Sequence, residues 1–112
     1  MKQVLIVRRD LGMRLGKSIA QGAHASLMAY RRTSLLKRIK WLLTGQTKIV
    51  VRADSEEQLL HLYQGAQDAG LTCVLVKDAG RTEFKEPTFT ALGIGPDEPE
   101  RLDPVTRKLE LL

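Results

Sequence analysis

The fold is decided by two stretches near the start of the chain, Gln3-Val4-Leu5-Ile6-Val7-Arg8 and Gly16-Lys17-Ser18-Ile19-Ala20-Gln21-Gly22-Ala23-His24-Ala25. The first is an apolar run with β-branched residues, typical of a strand buried on both faces. Gly12 and Gly16 mark a loop after it. The second begins a predicted helix that runs to about residue 32. A buried strand followed by a helix is the opening unit of an α/β fold.

The rest of the chain continues this alternation. Further helices are predicted over 35–43 and 55–70, the latter started by the capping box Ser55-Glu56-Glu57-Gln58. Further strands are predicted over 48–51, 72–76 and 88–94. The sequence therefore predicts one α/β domain over residues 1–112, with a four-stranded mixed sheet. Strands separated by helices should be parallel, and the short last connection indicates one antiparallel pair.

The end of the chain is rich in prolines. We expect Gly93-Ile94-Gly95-Pro96 to form a turn that closes the last strand. Residues 97–112, with Pro99 and Pro104, are expected to be mostly irregular. The final leucines are expected to pack back on the domain.

Charge is distributed unevenly along the chain. Residues 1–52 hold twelve Lys and Arg against one acidic residue, a balance of +11, whereas residues 53–112 hold six against twelve, a balance of −6. A basic half without interleaved acids favours a polyanionic partner over an ordinary solvated surface. Ten residues form the candidate phosphate-facing set: Arg8, Arg9, Arg14, Lys17, Arg31, Arg32, Lys37, Arg38, Lys40 and Lys48.

Cysteine content and hydropathy limit the class of protein. The only cysteine is Cys73, so no disulfide can form within one chain, which favours a reducing compartment. No signal peptide or membrane span is recognisable. We therefore expect a cytoplasmic protein.

The first helix carries a polar line. Lys17, Gln21, His24 and Met28 follow one another at helical spacing. Small residues (Ser18, Gly22, Ala25, Ala29) lie on one side of this line. An apolar side (Ile19, Ala20, Ala23, Leu27, Tyr30) lies on the other and is expected to face a core. The polar line should then border a cleft or be satisfied inside the fold.

Lys17 lies in the first turn of this helix, where the helix dipole disfavours a cation. Together with the N–H groups of Gly16, Lys17 and Ser18 it is suited to bind a phosphate or an oxyanion. A lysine lying along apolar surface explains the residue equally well. For His24 alone, a hydrogen-bonded core histidine is the more frequent case.

Two later segments carry polar side chains beside predicted strands. Asp78 follows the apolar run 73–77, at the strand end where α/β proteins bind ligands. A turn in which Asp78 bonds its own backbone is the simpler explanation of that residue alone. Thr88 and Thr90 alternate on a strand, so their hydroxyls point to one face. Arg81 offers a planar fork for phosphate or carboxylate, or a surface ion pair with Glu83.

The ordered set of these segments resembles the type II peptidyl-tRNA hydrolase family. The resemblance covers essentially the whole chain. It rests on Arg9-Asp10-Leu11, Met13, Gly16-Lys17, Ala20-Gln21, His24-Ala25, Lys48-Ile49-Val50, Asp78-Ala79-Gly80-Arg81-Thr82, Thr88, Thr90, Leu92-Gly93-Ile94-Gly95-Pro96, Asp103, Thr106 and 109–112. The chain departs from the family pattern at Glu83, at Glu86-Pro87 and at Arg107.

The resemblance implies a three-layer α/β/α domain, commonly a homodimer, that releases peptides from tRNA by hydrolysing the ester to the terminal ribose. It implies no metal and no cofactor. The catalytic positions that it implies are Lys17, His24, Asp78, Thr88 and Thr90. Gln21, Arg81, Arg9, Arg14 and Lys48 are expected to bind the peptidyl-tRNA. Two alternatives stay open: a non-catalytic RNA-binding or translation-associated module, and a protein-interaction domain that uses the helix at 31–43.

Overall fold

The computed structural model describes residues 1–80 and 86–112. It contains four strands and four helices in those ranges. In chain order these are β1 (Lys2–Arg8), α1 (Leu15–Arg32), α2 (Leu35–Leu43), β2 (Lys48–Ala53), α3 (Glu56–Asp68), β3 (Cys73–Asp78), β4 (Thr88–Asp97) and α4 (Pro99–Thr106).

The four strands form one mixed sheet in the order β2-β1-β4-β3. β1 and β2 are parallel, and β4 lies between β1 and β3, antiparallel to both. This confirms the predicted α/β class and the antiparallel pair at the last connection. These strand directions place the carboxyl ends of β1, β2 and β3 and the start of β4 at one edge of the sheet. We call this edge the carboxyl edge.

Helices cover both faces of the sheet. On one face Leu59 of α3 and Leu102 of α4 join Ile6 and Leu92 of the sheet in a core cluster. On the other face Ala25 of α1 packs with a second cluster that includes Val7 and Val76. Such alternation of side chains between two covered faces gives the expected three layers.

The small side of α1 determines how closely the helix approaches the sheet. A Cβ atom built on Gly93 of β4 would meet the carbonyl oxygen of Ala25 first, and would lie 2.9 Å from the Ala25 carbonyl carbon and 3.1 Å from the Ala29 Cβ. The expectation that the opposite, apolar side of α1 faces a core is wrong, because Ile19 is 63% exposed and Leu27 is 56% exposed. The helix packs through its small residues because they allow the backbones to touch.

Two expectations about the end of the chain are wrong. β4 does not turn at Gly93–Pro96 but continues to Asp97, and Gly95 adopts a φ of +83° within it. Residues 99–106 form α4 instead of an irregular tail, with Pro99 in its first turn, where the missing N–H has no helical partner to lose.

The backbone of the last residues packs back on β2, as expected, although the side chains of Leu111 and Leu112 are 73% and 51% exposed. Leu111 forms an antiparallel bridge with Val51 of β2, and the N–H of Leu112 donates to the carbonyl of Val50. In residues 1–80 and 86–112 we find no helix whose length and apolar content would allow it to cross a membrane.

Candidate active site at the carboxyl edge

Lys17 and Asp78 meet at the carboxyl edge of the sheet. Lys17 belongs to the first turn of α1 and Asp78 is the last residue of β3. The Lys17 Nζ donates to Asp78 Oδ1 at 2.6 Å, and the two side chains are only 12% and 7% exposed. Water screens a pair this little exposed much less than it screens a surface pair, so each charge strongly affects the other.

Asp78 also organises the turn that follows it. Its second carboxylate oxygen, Oδ2, accepts a hydrogen bond of 3.0 Å from the N–H of Gly80. Gly80 has a φ of +82°, and a Cβ there would lie 3.0 Å from the Glu86 carbonyl carbon. The simpler explanation given for Asp78, a bond to its own backbone, is therefore correct, and the same carboxylate serves both the turn and Lys17.

Gln21 and Thr90 form a second polar pair, one helical turn further along α1. The Thr90 hydroxyl donates to Gln21 Oε1 and makes a longer hydrogen bond of 3.4 Å to the Val76 carbonyl. Gln21 is 4% exposed and Thr90 is fully buried. The buried part of the predicted polar line is thus satisfied inside the fold.

Thr90 occupies an irregular position in β4. In the ladder between β3 and β4, Val76 faces Ala91 whereas Lys77 faces Phe89, so Thr90 is the extra residue of a bulge. Bulges of this kind re-aim a side chain and are common beside active sites. Thr88, two residues earlier, is the register partner of Asp78, and its hydroxyl donates to the Glu86 carbonyl at 2.9 Å.

His24 and the helix N-terminus differ from their predicted settings. His24 is exposed instead of buried, and seven residues of helix, about 10 Å along the axis, separate it from Lys17. α1 begins at Leu15, and the Ser18 N–H donates to the Arg14 carbonyl at 2.9 Å. Ser18 is therefore excluded from the predicted set of anion-binding N–H groups.

The predicted tRNA-binding residues do not all lie at this edge. Arg9 and Arg14 are exposed in the segment between β1 and α1, close in sequence to Lys17. Lys48 is exposed at the start of β2, where it pairs in register with Gln3, so it lies about 17 Å away along the strands from the carboxyl edge. Arg81 lies outside the described residues.

The prediction that Arg8 belongs to the basic surface is wrong, because the residue is only 8% exposed. Its guanidinium donates to both carboxylate oxygens of Asp10 and, at 3.0 Å, to the carbonyl of Phe89. The hydrogen bond and charge of Arg8 lower the pKa of Asp10. The sequence does contain a signal for this ion pair: a charged residue ends the apolar strand run, and a carboxylate follows two positions later.

The other side of α1 borders an apolar cleft of about 1040 Å³. Its walls include Ile19 and Leu27 of α1, Trp41 and Leu42 of α2, and the terminal Leu112. Within residues 1–80 and 86–112, no three His, Cys, Asp or Glu side chains are grouped as metal ligands would be.

Similarity to known proteins extends over the whole chain. A family model described as peptidyl-tRNA hydrolase PTH2 matches residues 1–112. A protein of Methanothermobacter thermautotrophicus named peptidyl-tRNA hydrolase is 46% identical over 112 residues, covering all of both chains. Proteins of the same name from Methanopyrus kandleri and Methanocaldococcus jannaschii are 47% and 42% identical, covering 99% and 100% of this chain and 97% and 100% of their own. The chain belongs to the peptidyl-tRNA hydrolase PTH2 family.

Proposed function

We propose that this protein, acting as one domain over residues 1–112, hydrolyses the ester that joins a peptide to the 3′ ribose of tRNA. The observation that carries the proposal is the shielded contact between Lys17 and Asp78 at the carboxyl edge, in a chain of this family. Ester hydrolysis needs a proton acceptor for water and a cation or hydrogen-bond donor for the developing oxyanion. The pair supplies one of each. The non-catalytic alternative is not favoured by the full-length family match.

Asp78 serves as the general base in this mechanism. It accepts a proton from water while the water oxygen adds to the ester carbonyl carbon. The ammonium of Lys17 donates to the tetrahedral oxyanion. Collapse of that intermediate breaks the bond to the ribose 3′ oxygen, which takes up the proton held by Asp78. The products are the peptide carboxylic acid and tRNA with a free 3′ hydroxyl.

The remaining predicted residues have supporting roles. Thr90 and Gln21 are buried and bonded to each other, which favours positioning of the α1 polar line over direct contact with tRNA. Thr88 is half-buried beside Asp78 in the ladder and helps to position the substrate. His24 is exposed further along α1 and contacts RNA.

Binding of the nucleic acid is assigned mainly to Arg9 and Arg14. Both are exposed on the segment that leads into Lys17, so a phosphate held there lies beside the reacting ester. Arg81 follows the Asp78 turn in sequence and is proposed as a further contact. Lys48 lies at the far edge and can meet only a distant part of the tRNA. A cytoplasmic location, where translation consumes tRNA, stays a prediction.

The proposal is tested with two substrates. Purified protein is mixed with N-acetyl-aminoacyl-tRNA and, separately, with aminoacyl-tRNA that has a free amino group. We expect rapid release of tRNA only from the blocked ester and no effect of EDTA on that rate. Failure to cleave the blocked ester by folded protein would overturn the proposed function.

We propose a homodimer as the working form, with the apolar cleft and α2 as its interface. Leu36 and Leu43 of α2 are 81% and 80% exposed, and α2 also contributes Trp41 and Leu42 to the cleft wall. The same helix thus carries an apolar ridge, formed by Leu36 and Leu43, and part of the wall of the apolar groove. In a two-fold symmetric dimer both copies use the same surface, and that surface is complementary to itself. The ridge of each copy therefore packs into the groove of the other. A second copy would also cover the exposed leucines.

A further inference from the structure

We propose that Arg8 is a positioning residue for the hydrolytic reaction. It acts by fixing the start of β4, and therefore Thr88 and Thr90, relative to the segment that delivers Lys17. The inference deepens the proposed function and rests on it.

Backbone pairing between β1 and β4 stops just before Arg8. The ladder between β1 and β4 ends at Val7 opposite Ala91. Beyond that point the guanidinium of Arg8 reaches across and donates to the carbonyl of Phe89. Phe89 lies between Thr88 and Thr90, so this contact holds the two residues that face Asp78 and Gln21.

The bulge at Thr90 weakens the support that β3 gives to this part of β4. A bulge leaves its extra residue outside the regular ladder and allows the strand to bend. Thr90 therefore needs support other than strand pairing to keep its hydroxyl on Gln21. Arg8 supplies it from the β1 side, one residue away, with a side chain that is itself only 9% exposed.

The guanidinium of Arg8 also contacts the segment that leads into α1. Nε and Nη2 of Arg8 donate to the two oxygens of Asp10 at 3.1 and 2.7 Å. Asp10 lies in the segment that runs into α1 and Lys17. A planar fork that bonds a carboxylate in two places keeps a fixed orientation, which a lysine cannot reproduce. Arg8 thus joins the Thr88–Thr90 segment to the Lys17 segment.

The neighbouring strand provides a matched control. Arg52 of β2 and Asp54, just after this strand, repeat the spacing of Arg8 and Asp10, and Arg52 pairs in register with Val7. The guanidinium of Arg52 contacts Asp54 and Glu110 at the sheet margin. Arg52 thus has the same side chain as Arg8 and a similar position along its strand. It differs in lying on the side of β1 that faces away from β4.

The experiment measures kcat, KM, the salt dependence of KM and the melting temperature of Arg8→Lys, Arg52→Lys, Thr90→Val and the double variant Arg8→Lys with Thr90→Val. We expect Arg8→Lys to lower kcat by about 10- to 100-fold, because a small displacement of positioned groups has an effect of this size. KM and its salt dependence should stay unchanged. Arg52→Lys should keep kcat within about twofold of the unsubstituted protein. In the double variant Arg8→Lys should lower kcat no further, because both changes act through one group.

The outcomes separate this inference from the proposed function. A normal kcat in Arg8→Lys overturns the positioning role. A raised KM with a weaker salt dependence also overturns it, because that result identifies Arg8 as a phosphate contact. Additive losses in the double variant also overturn it. Absence of hydrolysis by the unsubstituted protein overturns the proposed function itself. If Arg8→Lys does not fold, Asp10→Asn, which keeps Arg8 in place, is compared instead, and an unchanged kcat there overturns the inference.

Discussion

Lys17 and Asp78 lie 61 positions apart in the sequence, yet the ammonium nitrogen of one stands 2.6 Å from a carboxylate oxygen of the other. Removing one partner of a pair this shielded takes a counter-charge away from the other, little-exposed charge, which destabilises the folded state. Loss of activity in a single variant therefore needs to be separated from loss of folding.

The first prediction makes that separation. Lys17→Met and Asp78→Asn should each lower kcat by at least ~100-fold and should each lower the melting temperature. The double variant should recover part of the melting temperature, because the second substitution removes the charge whose counter-charge the first one took away, but none of the activity. Kinetics and thermal unfolding of the three variants check this.

A second ion pair serves as the control for these variants. Lys2 and Asp103 are joined at 2.7 Å, and Lys2 lies at the start of β1, away from the carboxyl edge. Lys2→Met and Asp103→Asn should leave kcat unchanged. Normal turnover by folded Asp78→Asn would remove Asp78 as the base.

The second prediction concerns tRNA binding. Arg9→Ala and Arg14→Ala should raise KM and leave kcat nearly unchanged, because they remove contacts made equally in the ground and transition states. Each should also reduce the slope of log affinity against log salt by about 1. Lys108→Ala, an exposed cation just after α4, is the control and should change neither quantity. A salt slope that Arg9→Ala and Arg14→Ala both leave intact would contradict the assignment.

The sequence was sufficient for the elements whose signals are local. The predicted helix at 35–43 matches α2. The predicted N-cap at Ser55 is present, since the Ser55 side chain accepts from the Gln58 N–H. The reciprocal bond of the capping box differs, because the Gln58 side chain accepts from the N–H of Asp54 and not from that of Ser55. Both depend on hydrogen bonds and periodicity within a few residues. The prediction of an irregular segment in place of α4 failed because it rested on a local signal, the presence of prolines. Pro99 does not break the helix, since it lies in the first turn.

The features that the sequence could not supply depend on tertiary packing. Nothing near Thr90 indicates a bulge, because the bulge arises from how β4 is placed against β3. The burial of Arg8 depends on Phe89, 81 residues away. The exposed apolar side of α1 was misassigned because periodicity shows which residues share a face but not what covers that face.

The third prediction tests the close approach of α1 to the sheet. Gly93→Ala should destabilise the protein by about 1–3 kcal/mol, because the added methyl group meets backbone atoms of Ala25. Gly65→Ala is the matched control within α3, where an added Cβ meets nothing within 4 Å, and it should stabilise by about 0.5–1 kcal/mol. Urea unfolding of both variants measures the difference. Equal stabilities would show that α1 does not depend on this contact.

The fourth prediction concerns acid stability. The hydrogen bond and charge of Arg8 lower the pKa of Asp10 below its ordinary value. The pair therefore stabilises the folded state at pH values above that ordinary pKa, and this contribution is lost as the pH falls through the lower pKa of the folded state. Asp10→Asn should therefore be less stable than the unsubstituted protein at neutral pH, and the difference in stability should shrink as the pH falls below the ordinary range of a carboxyl pKa. Asp54→Asn, at a more exposed pair, should show a smaller gap. A gap independent of pH would contradict the ionic contribution.

The fifth prediction tests the proposed dimer. Ile19→Glu and Leu42→Glu place a carboxylate in the wall of the apolar cleft, where burial against a second copy would leave the charge unpaired. Both variants should sediment as monomers at concentrations at which the unsubstituted protein sediments as a dimer. Leu60→Glu, on α3 and 37% exposed, is the control and should stay dimeric, because it lies on the opposite face of the sheet. A dimer that persists in both cleft variants would place the interface elsewhere, and a monomeric unsubstituted protein would leave the cleft to another partner.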